Sequence, residues 1–381
     1  MIKLNILNIL KSDIMETEEI IIIDIGSRYC KSGFLHTSEF ISVTPTSIGI
    51  ENDSVYIGKE AEDRATIEEL EFPISHGTIE SVDSLTSILN YIFNNELKID
   101  PESQSILITE PSLNSKENRQ KLMDILFGTY NVDKIFIANQ ALLSFLSSGK
   151  FSGIVIESGG GVTQVAPVFK GLLAPYAINR VDFGGEDLTE YLSRQPSIIN
   201  AHIEKKKYLK FLEEIKKNAC YVEKKYKKHL NSVEPYEYTF PDGNKITLKE
   251  ERTTIPEAIF RPELLGKSGI GIHELLFDSI SRIKESEQQN LFENIIISGG
   301  NTMFPGFEDK LLKKIKKKYN STKNSHFSHS LNKMNTVLEG AQSFCSALNP
   351  ENDFITRDEY YESGIDYSFK KMDKIQYIKT V

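Results

Sequence analysis

Two carboxylates occupy equivalent positions in two short stretches of the chain. Asp24 ends the apolar run of IIIDIGS, Glu157 ends that of IVIESGG, and serine and glycine follow each acid. Carboxylates at strand ends can hold the water shell of a Mg²⁺ ion that bridges phosphates. Lys31 could meet a phosphate as a point charge. These residue types predict a metal–phosphate site to which both stretches contribute.

Three consecutive glycines, Gly159, Gly160 and Gly161, interrupt two apolar, β-branched runs. Glycine weakens a strand, so its presence here indicates that something approaches the backbone closely. The N–H groups of such a turn can form a concave nest that binds phosphate. Neither G-x-x-x-x-G-K-[ST] nor G-x-G-x-x-G is present, so the sequence supports neither a P-loop nor a dinucleotide fingerprint.

Both stretches have the pattern of a strand, a tight turn and a second strand, over residues 18–36 and 153–169. The repeat suggests two similar halves that face each other. The alternative is two unrelated hairpins, because apolar runs with glycine turns are common. A third glycine turn, in residues 294–315, is expected between a strand and a helix. Further helical and strand patterns between the turns alternate, which predicts an α/β protein.

The composition is that of a globular protein. The chain has 381 residues, 39% of them hydrophobic and 26% charged, which favours two domains or a two-lobed body. A formal charge of −9 argues against direct binding to nucleic acid. The three cysteines show no metal or disulfide spacing, which indicates a reducing compartment. We expect no membrane insertion, because no apolar run has the length of a span, and no signal peptide at the N-terminus.

Further blocks of sequence resemble one family. The chain is similar to actin and the actin-related proteins from about Ile20 to about Gly364, as a divergent member. The blocks that carry the resemblance include DIGSRYCKSGF, FPISHGTIES, ITEPSLNSKENRQKLMDILF, IVIESGGGVTQVAPVF, PEAIFRPELLG and IIISGGNTMFPGF. This resemblance implies an α/β, actin-like two-lobed fold, with duplicated ribonuclease-H-like domains around a nucleotide cleft that holds ATP or ADP and Mg²⁺.

The resemblance also implies a division of the chain. The predicted parts are an N-terminal extension (1–17), a first lobe (18–150) with a shortened outer subdomain (about 48–58), a second lobe (151–335) with a lysine-rich helical insertion (about 195–250), and a C-terminal segment that returns to the first lobe (336–381).

Site residues are carried over position by position. Those that match the first phosphate loop are Asp24, Gly26, Ser27 and Lys31. Those that match the second are Glu157, Gly159, Gly160 and Gly161. Gly185 and Lys216 match positions near the sugar and base, and Gly299, Gly300, Met303 and Phe304 match the adenosine-side turn. Gln140 matches the glutamine that orients the attacking water.

Several departures from the family pattern concern catalysis. Glu157 replaces an aspartate, Gln164 replaces a histidine, and Gly160 replaces an acid. Arg28 also replaces a small residue in the first loop. Hydrolysis requires an aligned water and a proton acceptor, and small misplacements can cost about 10²-fold in rate. We therefore expect nucleotide binding with slow or absent hydrolysis, in which Gln140 and Glu157 are the catalytic candidates. The alternative is a vacant cleft.

A final departure concerns assembly. Only residues 50–55 stand where actin has a longer loop that reaches the next subunit of a filament. Self-polymerisation is therefore not expected. The expected partners are an actin filament or the subunits of an actin-related complex, in the cytoplasm and cytoskeleton. One alternative is a nuclear subunit of a chromatin-remodelling complex, through which alone nucleic acid would be contacted. Another is an active ATPase or sugar-kinase-like enzyme.

Overall fold

The structure is a computed structural model. It describes residues 19–37, 40–64, 70–203, 205–226, 232–319, 327–328 and 336–379. The predicted N-terminal extension (1–17) lies outside these residues. Residues 329–335, the last residues of the predicted second lobe, also lie outside them.

The described strands, in chain order, are β1 (Ile20–Ile25), β2 (Tyr29–Phe34), β3 (Ser42–Pro45), β4 (Ile48–Glu51), β5 (Ser54–Ile57), β6 (Leu70–Glu71), β7 (Ile74–Ser75), β8 (Thr78–Ile79), β9 (Ser105–Glu110), β10 (Lys134–Asn139), β11 (Gly153–Ser158), β12 (Thr163–Phe169), β13 (Leu172–Leu173), β14 (Asn179–Val181), β15 (Tyr236–Thr239), β16 (Lys245–Leu248), β17 (Ile295–Ser298), β18 (Phe327–Ser328) and β19 (Ile355–Thr356).

The described α-helices are α1 (Lys59–Asp63), α2 (Val82–Tyr91), α3 (Lys116–Met123), α4 (Gln140–Leu146), α5 (Gly185–Ser193), α6 (Pro196–Ile199), α7 (Lys205–Ala219), α8 (Glu251–Glu257), α9 (Ile272–Ser281), α10 (Glu285–Phe292), α11 (Phe307–Lys318), α12 (Thr336–Cys345), α13 (Pro350–Asp353) and α14 (Arg357–Lys379). Two π-helical turns follow α2 and α3, at Ile92–Leu97 and Asp124–Thr129. Short 3₁₀ turns lie at Pro175–Ala177, Pro262–Leu265 and Gly300–Met303.

The first sheet has the strand order β19-β10-β9-β1-β2-β3. Strand β1 pairs in parallel with β9, and β9 pairs in parallel with β10. The first four residues of β1 are isoleucines, all buried, as expected for a strand covered on both faces. The apolar core around this sheet draws residues from 20 to 143 and from 337 to 375, so the last described part of the chain packs on the first sheet.

The second sheet has the order β13-β12-β11-β17-β18, with β14 paired to β12. Its core draws residues from 154 to 315. A smaller cluster joins the two halves, because Ala141 and Phe145 of α4 pack with Val155, Ala166 and Ile296 of the second sheet.

Both sheets contain the same local arrangement. Strand β1 pairs antiparallel with β2 and parallel with β9, and β11 pairs antiparallel with β12 and parallel with β17. Asp24 is the fifth residue of β1, and Glu157 is the fifth residue of β11. The two strand–turn–strand predictions are confirmed, and the two acids hold the same place in equivalent strands.

The outer region of the first half is small. Strands β4 and β5 form a hairpin closed by Asn52 and Asp53, which have φ values of 48° and 62°. Positive φ at both central residues is the geometry of a type I′ turn, which Asn and Asp tolerate. The shortened loop predicted from the sequence is therefore a two-residue turn.

The lysine-rich region is not helical throughout. Helices α6 and α7 lie in its first part, but β15 and β16 pair as a hairpin further on. Part of the intervening sequence, residues 227–231, lies outside the described ranges. The domain boundaries themselves remain a prediction.

None of the helices described here combines the length and the apolar character that crossing a membrane would require.

Candidate functional site

A cavity of about 610 Å³ lies between the β1–β2 and β11–β12 turns. Its walls contain every site residue expected from the sequence. These are Asp24, Gly26, Ser27, Lys31, Gln140, Glu157, Gly159, Gly160, Gly161, Gly185, Lys216, Gly299, Gly300, Met303 and Phe304. The fold thus brings together residues that are distant in the chain, because the equivalent strands of the two sheets end at the same cavity.

Asp24 is held by three donors. Its Oδ2 accepts a hydrogen bond from Lys31 Nζ at 3.0 Å, and its Oδ1 accepts from Thr109 Oγ1 at 2.7 Å and Gln140 Nε2 at 2.9 Å. Burial would raise the pKa of Asp24, but the charge of Lys31 and these hydrogen bonds outweigh it and hold the pKa below its usual value. Asp24 is therefore ionised at neutral pH and sits in a fixed orientation.

Glu157 lies opposite Gln164 in the antiparallel ladder. Gln164 Nε2 donates to Glu157 Oε2 at 2.6 Å, and Gln164 Oε1 accepts from the backbone N–H of Ser112 at 2.9 Å. Burial raises the pKa of Glu157, with the hydrogen bond from Gln164 opposing the shift. Both ends of the Gln164 amide are engaged, so this side chain ties the second sheet to the loop after β9.

The two turns carry backbone N–H groups for which the described residues supply no acceptor. The N–H groups of Ser27, Arg28, Gly160 and Gly161 donate no hydrogen bond to any other residue in the described part of the chain. All four residues line the cavity. Clustered backbone N–H groups of this kind form an anion-binding concavity. The donor set therefore fits a phosphate group.

Two of the three consecutive glycines are needed for protein packing. A Cβ on Gly160 would lie 2.8 Å from Arg28 Cγ, and one on Gly161 would clash with Ser27 Oγ and with the backbone of His76. A Cβ on Gly159 would meet only Val162 O, at 3.8 Å. Atoms of the first half of the protein thus occupy the positions that side chains on Gly160 and Gly161 would need. The corresponding position at Gly159 is open.

The third glycine turn is fixed to the second one. Asn301 Nδ2 donates to Gly159 O at 2.8 Å and to Ser158 Oγ at 3.1 Å. Gly299 has φ of 87°, and a Cβ there would collide with Ser158 O, so this position requires glycine. Phe304 is buried in the second core, whereas Met303 is 54% exposed.

Lys216 supports the wall of the cavity from behind. The N–H of Gly185, at the start of α5, donates to Gly159 O at 2.9 Å. Lys216 Nζ donates in turn to Gly185 O at 2.7 Å and to Thr189 Oγ1 at 2.6 Å. Both acceptors belong to α5, so these hydrogen bonds hold the Lys216 amine against that helix. Burial lowers the pKa of Lys216 to about 8.

The acidic residues of the cavity suit a hydrated cation. Mg²⁺ usually keeps several waters and is bound through one or two carboxylates and substrate phosphates. Asp24 and Glu157 both line the cavity, with Lys31 paired to Asp24. Within the described ranges, no three His, Cys, Asp or Glu side chains converge on a metal position.

Comparison with known families agrees with the motifs. A family model described as Actin matches residues 15–373. The chain belongs to the actin family. The resemblance drawn from the sequence motifs is thereby confirmed, and the mixed α/β architecture described above fits an actin-like fold. Proteins of this family generally bind ATP or ADP with Mg²⁺.

Some residues that shape this actin-family site escaped the sequence reasoning. Thr109 donates to Asp24 and orients it. Asn301 fixes the third turn to the second one. Glu213 pairs with Arg28 of the first turn. Glu213 could have been noticed, because it lies three residues before Lys216 and so on the same face of α7. Thr109 gave no such signal, since it is the fifth of six residues in an ordinary buried strand.

A histidine also connects the two halves beside the turns. His76 Nε2 lies 3.2 Å from Asp187 Oδ2, and Arg180 Nη2 donates to His76 O at 2.7 Å. The hydrogen bond with Asp187 raises the pKa of His76, and burial opposes it. Glu186 favours the charged imidazole, and Lys267 disfavours it.

This pair predicts a pH-dependent contribution to stability. Since the folded pKa of His76 is above its unfolded value, the contribution is complete below about pH 6.5 and is lost as the pH rises through the folded pKa. His76→Gln should therefore lower the free energy of unfolding more at about pH 6 than at about pH 8.5, by up to about 1 kcal/mol because the pair is partly exposed. Urea unfolding at both pH values measures this. His36→Gln, at an exposed position, is the control, and an equal loss at both pH values would refute the prediction.

Proposed function

We propose that this protein binds ATP or ADP with Mg²⁺ in the cavity between the two turns, and that it hydrolyses ATP slowly or not at all. The observation that carries the proposal is the set of N–H groups at Ser27, Arg28, Gly160 and Gly161 that donate to no residue in the described ranges. Membership of the actin family supports the choice of ligand. In this proposal the phosphates lie at the two turns and the adenosine lies at Gly299–Phe304.

The metal would be held through water by Asp24 and Glu157. When bound, Mg²⁺ would neutralise phosphate charge. Asp24 is suited to this task because its depressed pKa keeps it anionic. Lys31 donates to Asp24, which fixes the carboxylate and keeps a positive charge beside it.

The equivalent strand arrangements support a duplicated origin. The trio β2–β1–β9 matches the trio β12–β11–β17 in strand direction, and the two acids hold the same position in them. We propose that these trios belong to two ribonuclease-H-like domains, with the boundaries given above. The ligand would then join the two halves.

The proposal of slow hydrolysis concerns the groups that would take up the proton. Gln140 Nε2 lies within hydrogen-bond distance of Asp24 Oδ1, Thr109 Oγ1 and Ile25 O, so its amide is held in one orientation and Oε1 is the atom that would accept from a water. Gln164 is an amide and cannot take a proton. Glu157 is the carboxylate left for proton transfer, and it is one methylene longer than the aspartate of the family.

The biological role we propose is that of a subunit acting through protein contacts, with an actin filament or an actin-related complex, in the cytoplasm and cytoskeleton. A nuclear complex is the alternative. The two-residue turn at Asn52 and Asp53 supports the absence of self-polymerisation.

Nucleotide binding is tested by a change at the glycine with open space above it. Gly159→Ala should leave the fold intact, because the added methyl meets only Val162 O at 3.8 Å. It should weaken binding of Mg·ADP and Mg·ATP by about 10-fold, or ~1.4 kcal/mol, by holding phosphate away from the turn. Titration calorimetry measures the affinity, and thermal unfolding checks the fold.

The matched control is Gly269→Ala, at an exposed position with only Pro262 within 4 Å of the added methyl. It should bind nucleotide like the wild type. In the wild type, nucleotide at about 100 times its dissociation constant should add about 2.7 kcal/mol to the free energy of unfolding. No binding heat together with no stabilisation would reject the proposed ligand.

Hydrolysis is tested by restoring the family residues. The double variant Glu157→Asp/Gln164→His should raise the rate of phosphate release by about 10²-fold, because it returns a shorter acid and a group that can carry a proton. Steady-state phosphate release compares it with the wild type. Rapid turnover by the wild type itself would contradict the proposal.

Assembly is tested by sedimentation. The pure protein with Mg·ATP in polymerising salt should stay in the supernatant, because it lacks the long outer loop. Actin treated in parallel is the positive control. Pelleting of this protein as filaments would contradict the proposal.

A further inference from the structure

Helix α7 turns a row of charged residues toward the first half of the protein. Lys210, Glu213 and Lys217 are three and four residues apart, so they lie along one face of the helix. The apolar side of the same helix, with Leu212 and Ile215, is buried in the second core. The helix is therefore anchored in the second half and offers a positive, a negative and a positive side chain to the other half.

The central contact of this row is buried. Glu213 Oε1 lies 2.8 Å from Nε of Arg28 in the β1–β2 turn. Arg28 Nη2 also donates to Glu62 Oε1 at 3.3 Å, and its guanidinium carbon lies 4.3 Å from the centre of the Phe72 ring. Arg28 is 7% exposed and Glu213 is 6% exposed. Removing one partner of such a pair leaves the charge of the other buried, which is costly.

Two more exposed contacts flank the central one. Lys217 Nζ donates to Tyr29 Oη at 2.9 Å. At the other end of the row, Lys210 pairs with Asp63, the last residue of α1, and the two side chains are 39% and 41% exposed. Exposed ion pairs are screened by salt, and each contributes little by itself. The row thus has a buried centre and two ends that water and ions reach.

These contacts form part of the cavity wall. Arg28, Tyr29, Glu213 and Lys217 all line the cavity, so both halves together make this part of the wall. The halves are also joined at α4 by an apolar cluster. In the part of the chain that the structure describes, no apolar cluster joins α7 to the first half. Polar contacts can be exchanged for water or for the charges of a partner, so the halves separate at α7 at less cost than at α4.

We propose that six residues form an ionic latch between α7 and the first half, which holds the cavity closed and sets the rate at which a bound ligand leaves. The latch consists of Arg28, Tyr29 and Asp63 on the first half and of Lys210, Glu213 and Lys217 on α7. The closure depends only on the contacts described above. The effect on nucleotide release rests on the proposed function.

The closure is tested without nucleotide, by double electron–electron resonance between two spin labels in the full chain. Ser54→Cys and Lys245→Cys place the labels at exposed positions of the two halves, and the three native cysteines are buried. The otherwise unchanged protein should give one narrow distance distribution. Adding Glu213→Gln should shift it to longer distances, because Arg28 loses its counter-ion across the halves.

The matched control is Glu214→Gln, which removes the same charge from the next position of the same helix. Glu214 is exposed, and its Oε2 accepts from Tyr238 Oη of the second half at 3.4 Å. This variant should keep the original distance distribution.

The exposed pair supplies a second test that does not disturb the buried centre, and it serves if Glu213→Gln does not fold. Asp63→Lys places two positive charges together and should also lengthen the distance. The exchanged variant Asp63→Lys/Lys210→Asp restores opposite charges and should return the distance to its original value.

Ligand release is measured with a fluorescent ADP analogue, bound with Mg²⁺ and displaced by excess ADP. Glu213→Gln should speed release by at least about 10-fold, and Asp63→Lys by about 3-fold. The exchanged variant should release at the wild-type rate. Raising the salt to about 0.5 M should speed release from the wild type, because the exposed pair is screened.

The outcomes separate the latch from the proposed function. If Glu213→Gln and Asp63→Lys both keep the original distance distribution, the latch is overturned and the proposed function stands. If the distances lengthen but the release rates do not change, control of release is overturned. If the distances lengthen and the wild type binds no nucleotide, the proposed function fails and the closure stands.

Discussion

The contact between the two hairpin turns is the constraint on which the rest of the site depends. Gly160 and Gly161 lie directly against Arg28, Ser27 and His76, with no room for a side chain on either glycine. Because the turns touch, the N–H groups of both that find no acceptor among the described residues lie at one cavity, and the two acidic strand ends line the same cavity. The hydrogen bonds of Gln164 and Asn301 then fix the second turn to its neighbours.

Much of this arrangement could be predicted from the sequence. Apolar runs that end in an acid and a glycine turn gave β1, β2, β11 and β12, because strand patterns and tight turns are local properties. Collinear motifs gave the family, which the comparison confirms. The roles of the individual site residues remain predictions, although the fold gathers all of them around one cavity.

Other features lay beyond local reasoning. The sequence suggested that a ligand explains the glycine triplet, whereas the space at Gly160 and Gly161 is taken by protein atoms. The pairing of Arg28 with Glu213 joins residues far apart in the chain, so only the tertiary structure reveals it. The lysine-rich region was expected to be helical, but its second part contains the β15–β16 hairpin, whose alternating exposure is a strand property.

Helix α4 connects the site to both sheets. It begins at Gln140, directly after a strand of the first sheet, yet Ala141 and Phe145 are embedded in the apolar cluster of the second sheet. Helix α4 thus contacts both sheets, and a rotation of one sheet relative to the other would act on this helix and on the Gln140 amide at its first residue. That amide is bonded to Asp24. The angle between the two halves is thus coupled to the hydrogen bond that Asp24 accepts from Gln140. A partner that separates the halves at the surface would also change the polar environment of Asp24.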